Sequence, residues 1–239
     1  ELWSIDFDDG AATLHNALHG EDRTFVSYHP WVYNTDERTA YDYPETHNRV
    51  IKLMKYAISI AEKQLDPKYN GNTIWGLHIS GIDIWDSVCI NNMRIVDLGL
   101  ANDGIDAADN RGVGPGERVH MQFDWALRTS RFHQVSALSR RLVRLGVAVF
   151  WETHERVRDG VNGPDWEKHA GIYLHTIIHC EKYEEKDEED NTLRTQYTAT
   201  FDKCRTNPAL LGQQKTILIT KPNEQPEWRG LPALYDGSL

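Results

Sequence analysis

The sequence predicts an α/β fold: a mostly parallel sheet flanked by helices on both faces, with antiparallel strands at its C-terminal edge. Three observations lead there. Over the first two thirds, short apolar runs alternate with segments whose apolar residues recur at helical spacing, the pattern of parallel strands joined by helices. The run Gly146–Trp151 is continuously apolar, as expected for a strand covered on both faces. Toward the C-terminus, the acidic run Glu184–Asp190 with Asn191 separates two strand-like segments and reads as an exposed hairpin tip.

Taken in order, residues 2 to 7 form a first apolar strand that runs into Asp6, Asp8, Asp9 and Gly10. Ala11 to Leu18 suits a short helix, and Thr24–Tyr28 a second strand. Residues 29 to 45, rich in Tyr, Asp, Thr and Pro, read as a long loop. Val50, Leu53, Met54, Ala57, Ile58, Ala61 and Leu65 make a helical stripe that stops before Pro67. Thr73–Ile79 returns to strand character, and Ile84, Trp85, Val88, Cys89 and Met93 line one face of the next helix.

Residues 101 to 117 hold three aspartates and the run Gly112–Gly116, read as a connection. No Lys-Ser/Thr pair follows these glycines and no strand precedes them, so they lack the context of a phosphate loop. A long helix is predicted over 118 to 145, with Gly146 ending it. Strands follow at 146–151, 172–182, 195–201 and 216–220.

A length of 239 residues suits one α/β domain with a sizeable core, or two small ones. The net charge of −10 excludes an all-over basic nucleic-acid binder but leaves room for local basic stripes. Two are present: five arginines between Arg128 and Arg144, which read equally as a solvated helix face, and Arg156 with Arg158. The three cysteines, Cys89, Cys180 and Cys204, are odd in number and lack metal-type spacing, which fits a reducing cytoplasm. No run approaches the roughly 18 apolar residues of a membrane span, so no membrane partner is expected. The chain starts at Glu1 rather than Met, as a processed product or a piece of something longer would.

In an open parallel sheet, ligands bind at the carboxyl ends of the strands. Three predicted strand ends carry polar groups: Asp6/Asp8/Asp9, Ser80/Asp83/Asp86, and Glu152/Thr153/His154/Glu155. If those strands are neighbours, carboxylates and a histidine converge, able to hold a hard cation (Asp6 and Asp8 first) or to orient a water toward a phosphorus centre. The competing reading makes several of these acids helix caps, Asp83 and Asp86 above all. His175, His179 and Cys180 do not share one strand face, so they read as structural rather than as a metal site.

The succession Ile-Asp-Phe-Asp-Asp-Gly, Gly-Ile-Asp-Ile-Trp-Asp, a long helix and Val-Ala-Val-Phe-Trp-Glu-Thr-His-Glu-Arg-Val-Arg-Asp resembles the RecA-like ATPases of bacteriophages and archaeal viruses. Thr-Ala-Thr-Phe-Asp-Lys-Cys-Arg and Pro-Ala-Leu-Leu-Gly continue it, so that it spans residues 2 to 215. The resemblance implies an ATP- and Mg²⁺-dependent domain acting on single-stranded DNA in a homo-oligomer, in the host cytoplasm. It implies that Asp8 activates the attacking water and that His154 senses the γ-phosphate. Arg156 and Arg158 would begin a DNA-contacting loop, and Lys203 and Arg205 would reach into a neighbouring subunit's ATP site, as an arginine finger does.

Two departures qualify these expectations. The phosphate loop GxxxxGK[ST] is absent from the 239 residues. Ser80 stands where the resemblance calls for a metal-orienting acid, with Asp83 the nearest substitute in the nucleotide site. Three readings follow: a RecA-like recombination or annealing ATPase domain whose first strand and phosphate loop lie outside this sequence; a RecA-like scaffold that has lost nucleotide chemistry; and a metal-dependent phosphohydrolase or nuclease built on the clustered acids.

Overall fold

The computed structural model describes residues 1–13, 15, 24–33, 41–97, 99, 122–158, 161–164, 174–188, 191–205 and 207–229. The aspartate- and glycine-rich segment 101–117 lies outside the described residues. The chain divides into two compact units, Glu1–Glu167 and Lys168–Leu239.

The first unit is built on four parallel strands, β1 (Leu2–Ile5), β2 (Phe25–Tyr28), β3 (Gly76–Ile79) and β4 (Ala148–Trp151), in the order β2-β1-β3-β4. Accompanying them are α1 (Tyr43–Lys63), α2 (Ile82–Val96) and α3 (Gln122–Arg144), and residues 11–13 and 15 are helical as well. The register aligns Trp3 with Leu77 and Leu77 with Val149, and likewise Ile5 with Ile79 and Ile79 with Trp151. Side chains alternate along a strand, so these six share one face.

On that face sits the core, with Val50, Met54 and Ala57 from α1, Trp85, Val88 and Cys89 from α2, and Phe132, Val135 and Leu142 from α3. α1, α2 and α3 therefore gather on this face, while the short helical stretch at residues 11–13 and 15 supplies His15 to the other. The opposite face carries Leu2, Ser4, Gly76, His78 and Phe150, and at its β2 end His15 stacks on Phe25 at 4.3 Å. β4 is an edge strand, and Phe150 is 41% exposed. Its unbroken apolar run thus does not mean burial on both sides: aromatic and β-branched residues favour a strand whether or not the outer face is covered.

Local chemistry explains the helix ends. α1 starts seven residues before its apolar stripe because Asp42 caps it, its side chain accepting from the Glu45 N–H at 2.9 Å, with Pro44 in the first turn. α3 stops at Arg144, and Gly146 takes the left-handed conformation (φ 85°) as expected. Three of its arginines pair with acids: Arg128 with Asp86 and Arg131 with Asp97, both at 2.5 Å, and Arg141 with Glu62. These pairs clamp α3 onto α2 and α1. After β4 comes a short hairpin, β5 (Glu155–Arg158) with β6 (Val161–Pro164), which the sequence pattern did not announce.

The second unit is an antiparallel sheet of order β10-β9-β8-β7, from β7 (Thr176–Lys186), β8 (Thr192–Cys204), β9 (Gln214–Thr220) and β10 (Glu227–Trp228). It is a sheet of its own rather than an edge of the parallel one. The long β7–β8 pair fills its hydrogen bonds internally, and β9 takes the free side of β8. At the hairpin tip the Asp187 carboxylate accepts from the Asn191 N–H at 2.8 Å. The acidic turn is where the sequence put it.

Candidate functional site at the strand ends

β1 connects onward to β2 on one side, whereas β3 lies on the other, so the chain reverses direction across the sheet between β1 and β3. A crevice outside the strands' carboxyl ends is the favoured ligand position at such a switch point. The ends of β1, β3 and β4 meet there.

Asp6, the first residue past β1, is buried and fully engaged. Its carboxylate accepts from Ser80 Oγ at 3.1 Å, from the Ala11 N–H at 2.9 Å and from Ser27 Oγ at 3.4 Å. Ser80, past β3, also accepts from the Phe7 N–H at 3.0 Å. The two side chains form an internal clasp that locks the ends of β1 and β3 together. A carboxylate with three donors on it gains nothing by leaving them, so Asp6 acts as a brace.

Asp8 is different. It is exposed, and it lies against the β3–α2 turn: a Cβ placed on Gly81 would sit 3.3 Å from Asp8 Oδ2. Gly81 has φ 61°, a conformation glycine adopts without strain, and it starts α2 with no side-chain cap. Partial desolvation pushes the Asp8 pKa up; Glu152, Asp83 and Asp6 push the same way, while His154 opposes them.

Asp83, in the first turn of α2, does not cap its helix. It turns to the segment after β4, with Oδ2 3.0 Å from His154 Nδ1 and Oδ1 3.4 Å from both the His154 N–H and Thr153 Oγ1. The Asp83 hydrogen bond and charge raise the His154 pKa. Asp86 faces away, to Arg128. Glu152 is fixed by its backbone: its N–H donates to Ile79 O at 2.9 Å and its carbonyl accepts from Ile82 at 2.8 Å. Its carboxylate lies 3.1 Å from His78 Nε2, which holds its pKa below the ordinary carboxylate value.

Asp8, Asp83, Glu152 and His154 are thus brought together from three strand ends, with Ser80 and Asp6 beneath them. His78 is the member that sequence reading missed. A lone histidine in a strand of apolar character carried no motif, and only the pairing of β3 with β1 and β4 gives it neighbours.

The remaining candidates belong to other elements. Lys203, near the end of β8, and Arg205 belong to the second unit, where the Arg205 N–H donates to His175 O at 3.0 Å. Desolvation and the Arg205 charge lower the Lys203 pKa. The backbone of Arg156 and Arg158 runs in the β5–β6 hairpin, but their side chains lie outside the described ones. Among the described residues, no group of three or more His, Cys, Asp or Glu is placed to hold a metal ion, His175, His179 and Cys180 included. Of the predicted cation pair, Asp6 is committed to its donors and Asp8 stays exposed. No described helix is long and apolar enough to cross a membrane.

No protein-family model matches the chain, and no curated protein matches it significantly.

Proposed function

We propose that the first unit is a RecA-like nucleotide-binding domain of a DNA recombination or annealing ATPase of viral or phage type, carrying the water-activating and sensing side of the site. The observation that carries the reading is the convergence of Asp8, Asp83 and His154 at the switch point of a parallel sheet. Asp8 has the raised pKa that suits a general base, and the Asp83–His154 pair links the strand ends to the following hairpin. The reading needs a phosphate-holding element that these 239 residues do not contain. β1 is paired on both sides, so another strand can join this sheet only outside β2 or β4. The β4 edge is the one next to Glu152 and His154. Single-stranded DNA and a homo-oligomer are the partners this reading names.

The product of the complete gene tests it. We expect ATP hydrolysis stimulated by single-stranded DNA, with Asp8→Asn lowering kcat at least about 100-fold and leaving nucleotide affinity within about threefold. A complete gene product that binds no nucleotide overturns it.

The Ser80 clasp favours a second reading, a RecA-like scaffold without nucleotide chemistry. An uncharged, buried hydroxyl spent on Asp6 and Phe7 offers nothing to a metal-bound water. This reading expects no Mg-ATP affinity in the complete gene product, and calorimetric detection of tight Mg-ATP binding excludes it.

A further inference from the structure

On the sheet face opposite α1, α2 and α3, side chains from β1, from β3 and from the residue that follows β4 form one hydrogen-bonded chain. Ser4 of β1 and His78 of β3 are register partners, and Ser4 Oγ lies 3.0 Å from His78 Nδ1. The other ring nitrogen, Nε2, lies 3.1 Å from Oε2 of Glu152, the first residue past β4. Exposure rises along the chain: Ser4 is fully buried, the His78 side chain is 22% exposed and that of Glu152 62%.

The direction of the chain follows from donor and acceptor capacity. An ionised carboxylate only accepts, so Nε2 carries a hydrogen in either charge state of the ring. In the neutral ring Nδ1 then accepts from the Ser4 hydroxyl, which fixes both tautomer and ring orientation. The backbone of Glu152 is held by Ile79 and Ile82, but a glutamate this exposed would otherwise sample many rotamers. His78 removes that freedom.

We propose that His78 is a positioning residue: anchored on Ser4, it fixes the Glu152 carboxylate at the mouth of the strand-end site as a standing acceptor for a donor group of the ligand. The titratable groups coupled to this carboxylate are His78 of β3, His154 two residues on, Asp6 past β1, and Asp8, on which Glu152 acts in turn. Of these, His78 acts most strongly, and it lowers the Glu152 pKa while the pKa of Asp8 is raised. The two carboxylates are thus shifted in opposite directions by their surroundings. The inference rests on reading the strand ends as a ligand site, and its test separates the two.

The positioning is tested on this chain alone, by ¹⁵N detection of the His78 tautomer and ¹³C titration of the glutamate carboxyls. We expect the Nε2–H form in the wild type and a Glu152 midpoint below those of the exposed glutamates. His78→Leu should raise that midpoint, and His78→Gln, whose amide can donate to Glu152, should restore part of the shift. Ser4→Ala, the smaller change, should mix the tautomers if His78→Leu does not fold. A Glu152 midpoint unmoved by His78→Leu, or a tautomer unmoved by Ser4→Ala, overturns the proposal whatever the ligand is. In the complete gene product, with Mg-ATP as the probe, His78→Leu should lower kcat about tenfold with KM within about twofold, and His78→Gln should recover most of it. An unchanged kcat overturns the catalytic half. Absence of any nucleotide binding fails the proposed function instead and leaves the carboxyl titration to decide the positioning.

Discussion

His154 and Asp83, 71 positions apart in the chain, join the end of β4 to the first turn of α2 through an Nδ1–Oδ2 contact of 3.0 Å. The contact raises the His154 pKa above its ordinary value of 6.5. A raised histidine pKa means that the pair contributes its stability fully below about pH 6.5 and loses it as pH rises through the higher, folded-state value. The wild type should therefore exceed Asp83→Asn in stability at pH 5.5 and lose that advantage by pH 8. The ring is largely exposed, so the difference should stay below about 1 kcal/mol. Denaturant melts at the two pH values, with an NMR titration of His154, check both halves.

His47 behaves in the opposite sense. Its ring is buried and stacks on Trp85 at 5.0 Å, and among the described residues neither nitrogen meets a partner at hydrogen-bond geometry. Burial pushes its pKa down to about 4; the Arg131 charge adds to this, and Asn48 partly offsets it. Folding must keep this ring neutral, so stability should fall as pH drops from about 6.5 to 4, by up to about 3 kcal/mol. His47→Phe, which keeps a ring against Trp85, should flatten that limb of the stability–pH curve. A curve of unchanged slope would show that other groups set the acid sensitivity.

Ser80→Ala removes a donor to buried Asp6 and an acceptor from Phe7, and should cost about 1–3 kcal/mol. Ser80→Asp is the sharper test. It sets a second carboxylate beside Asp6 in the clasp, where both cannot ionise cheaply. Thermal melts should show a larger loss at neutral pH that shrinks as pH falls, since protonating one carboxyl relieves the pair.

Two arginines on α3 should differ widely. The Arg128–Asp86 pair is mostly buried, with side chains 16% and 13% exposed, so Arg128→Ala leaves a desolvated carboxylate and should cost roughly 3 kcal/mol. Arg141 meets Glu62 in the open, and Arg141→Ala should cost less than about 1 kcal/mol. Chemical denaturation of the two variants side by side is the measurement.

Gly81→Ala should both strain the backbone, by roughly 1–2 kcal/mol at φ 61°, and crowd Ile84 Cδ1, 2.8 Å from the new Cβ. The same Cβ would press on Asp8. The Asp8 titration should shift even where the variant remains folded, and an Asp8 midpoint that does not move would show that the turn leaves this carboxylate alone.

Much of this architecture could be read before any coordinates. Apolar periodicity located the four parallel strands and the helices α1 to α3, because the burial that shapes them is local in sequence. The strand-end acids and His154 stood out because polar residues abruptly follow apolar runs. The β5–β6 hairpin did not stand out, since Glu155–Arg158 and Val161–Pro164 have no apolar alternation. Nor did the separate antiparallel sheet, because nothing in a strand's own residues says which sheet it will join.

What the sequence determined alone is an inventory: the parallel strands, the helices α1 to α3, and the acids and histidine at the strand ends. The tertiary structure decided their roles. Asp6 became a brace and Asp8 remained open because β3 brought Ser80 to one and Gly81 to the other. Asp83 left its helix end for His154, three arginines of α3 paired with acids of α1 and α2, and His78 acquired Ser4 and Glu152. Each of these depends on which strand lies beside which, and strand pairing is a contact between distant residues that no local pattern encodes.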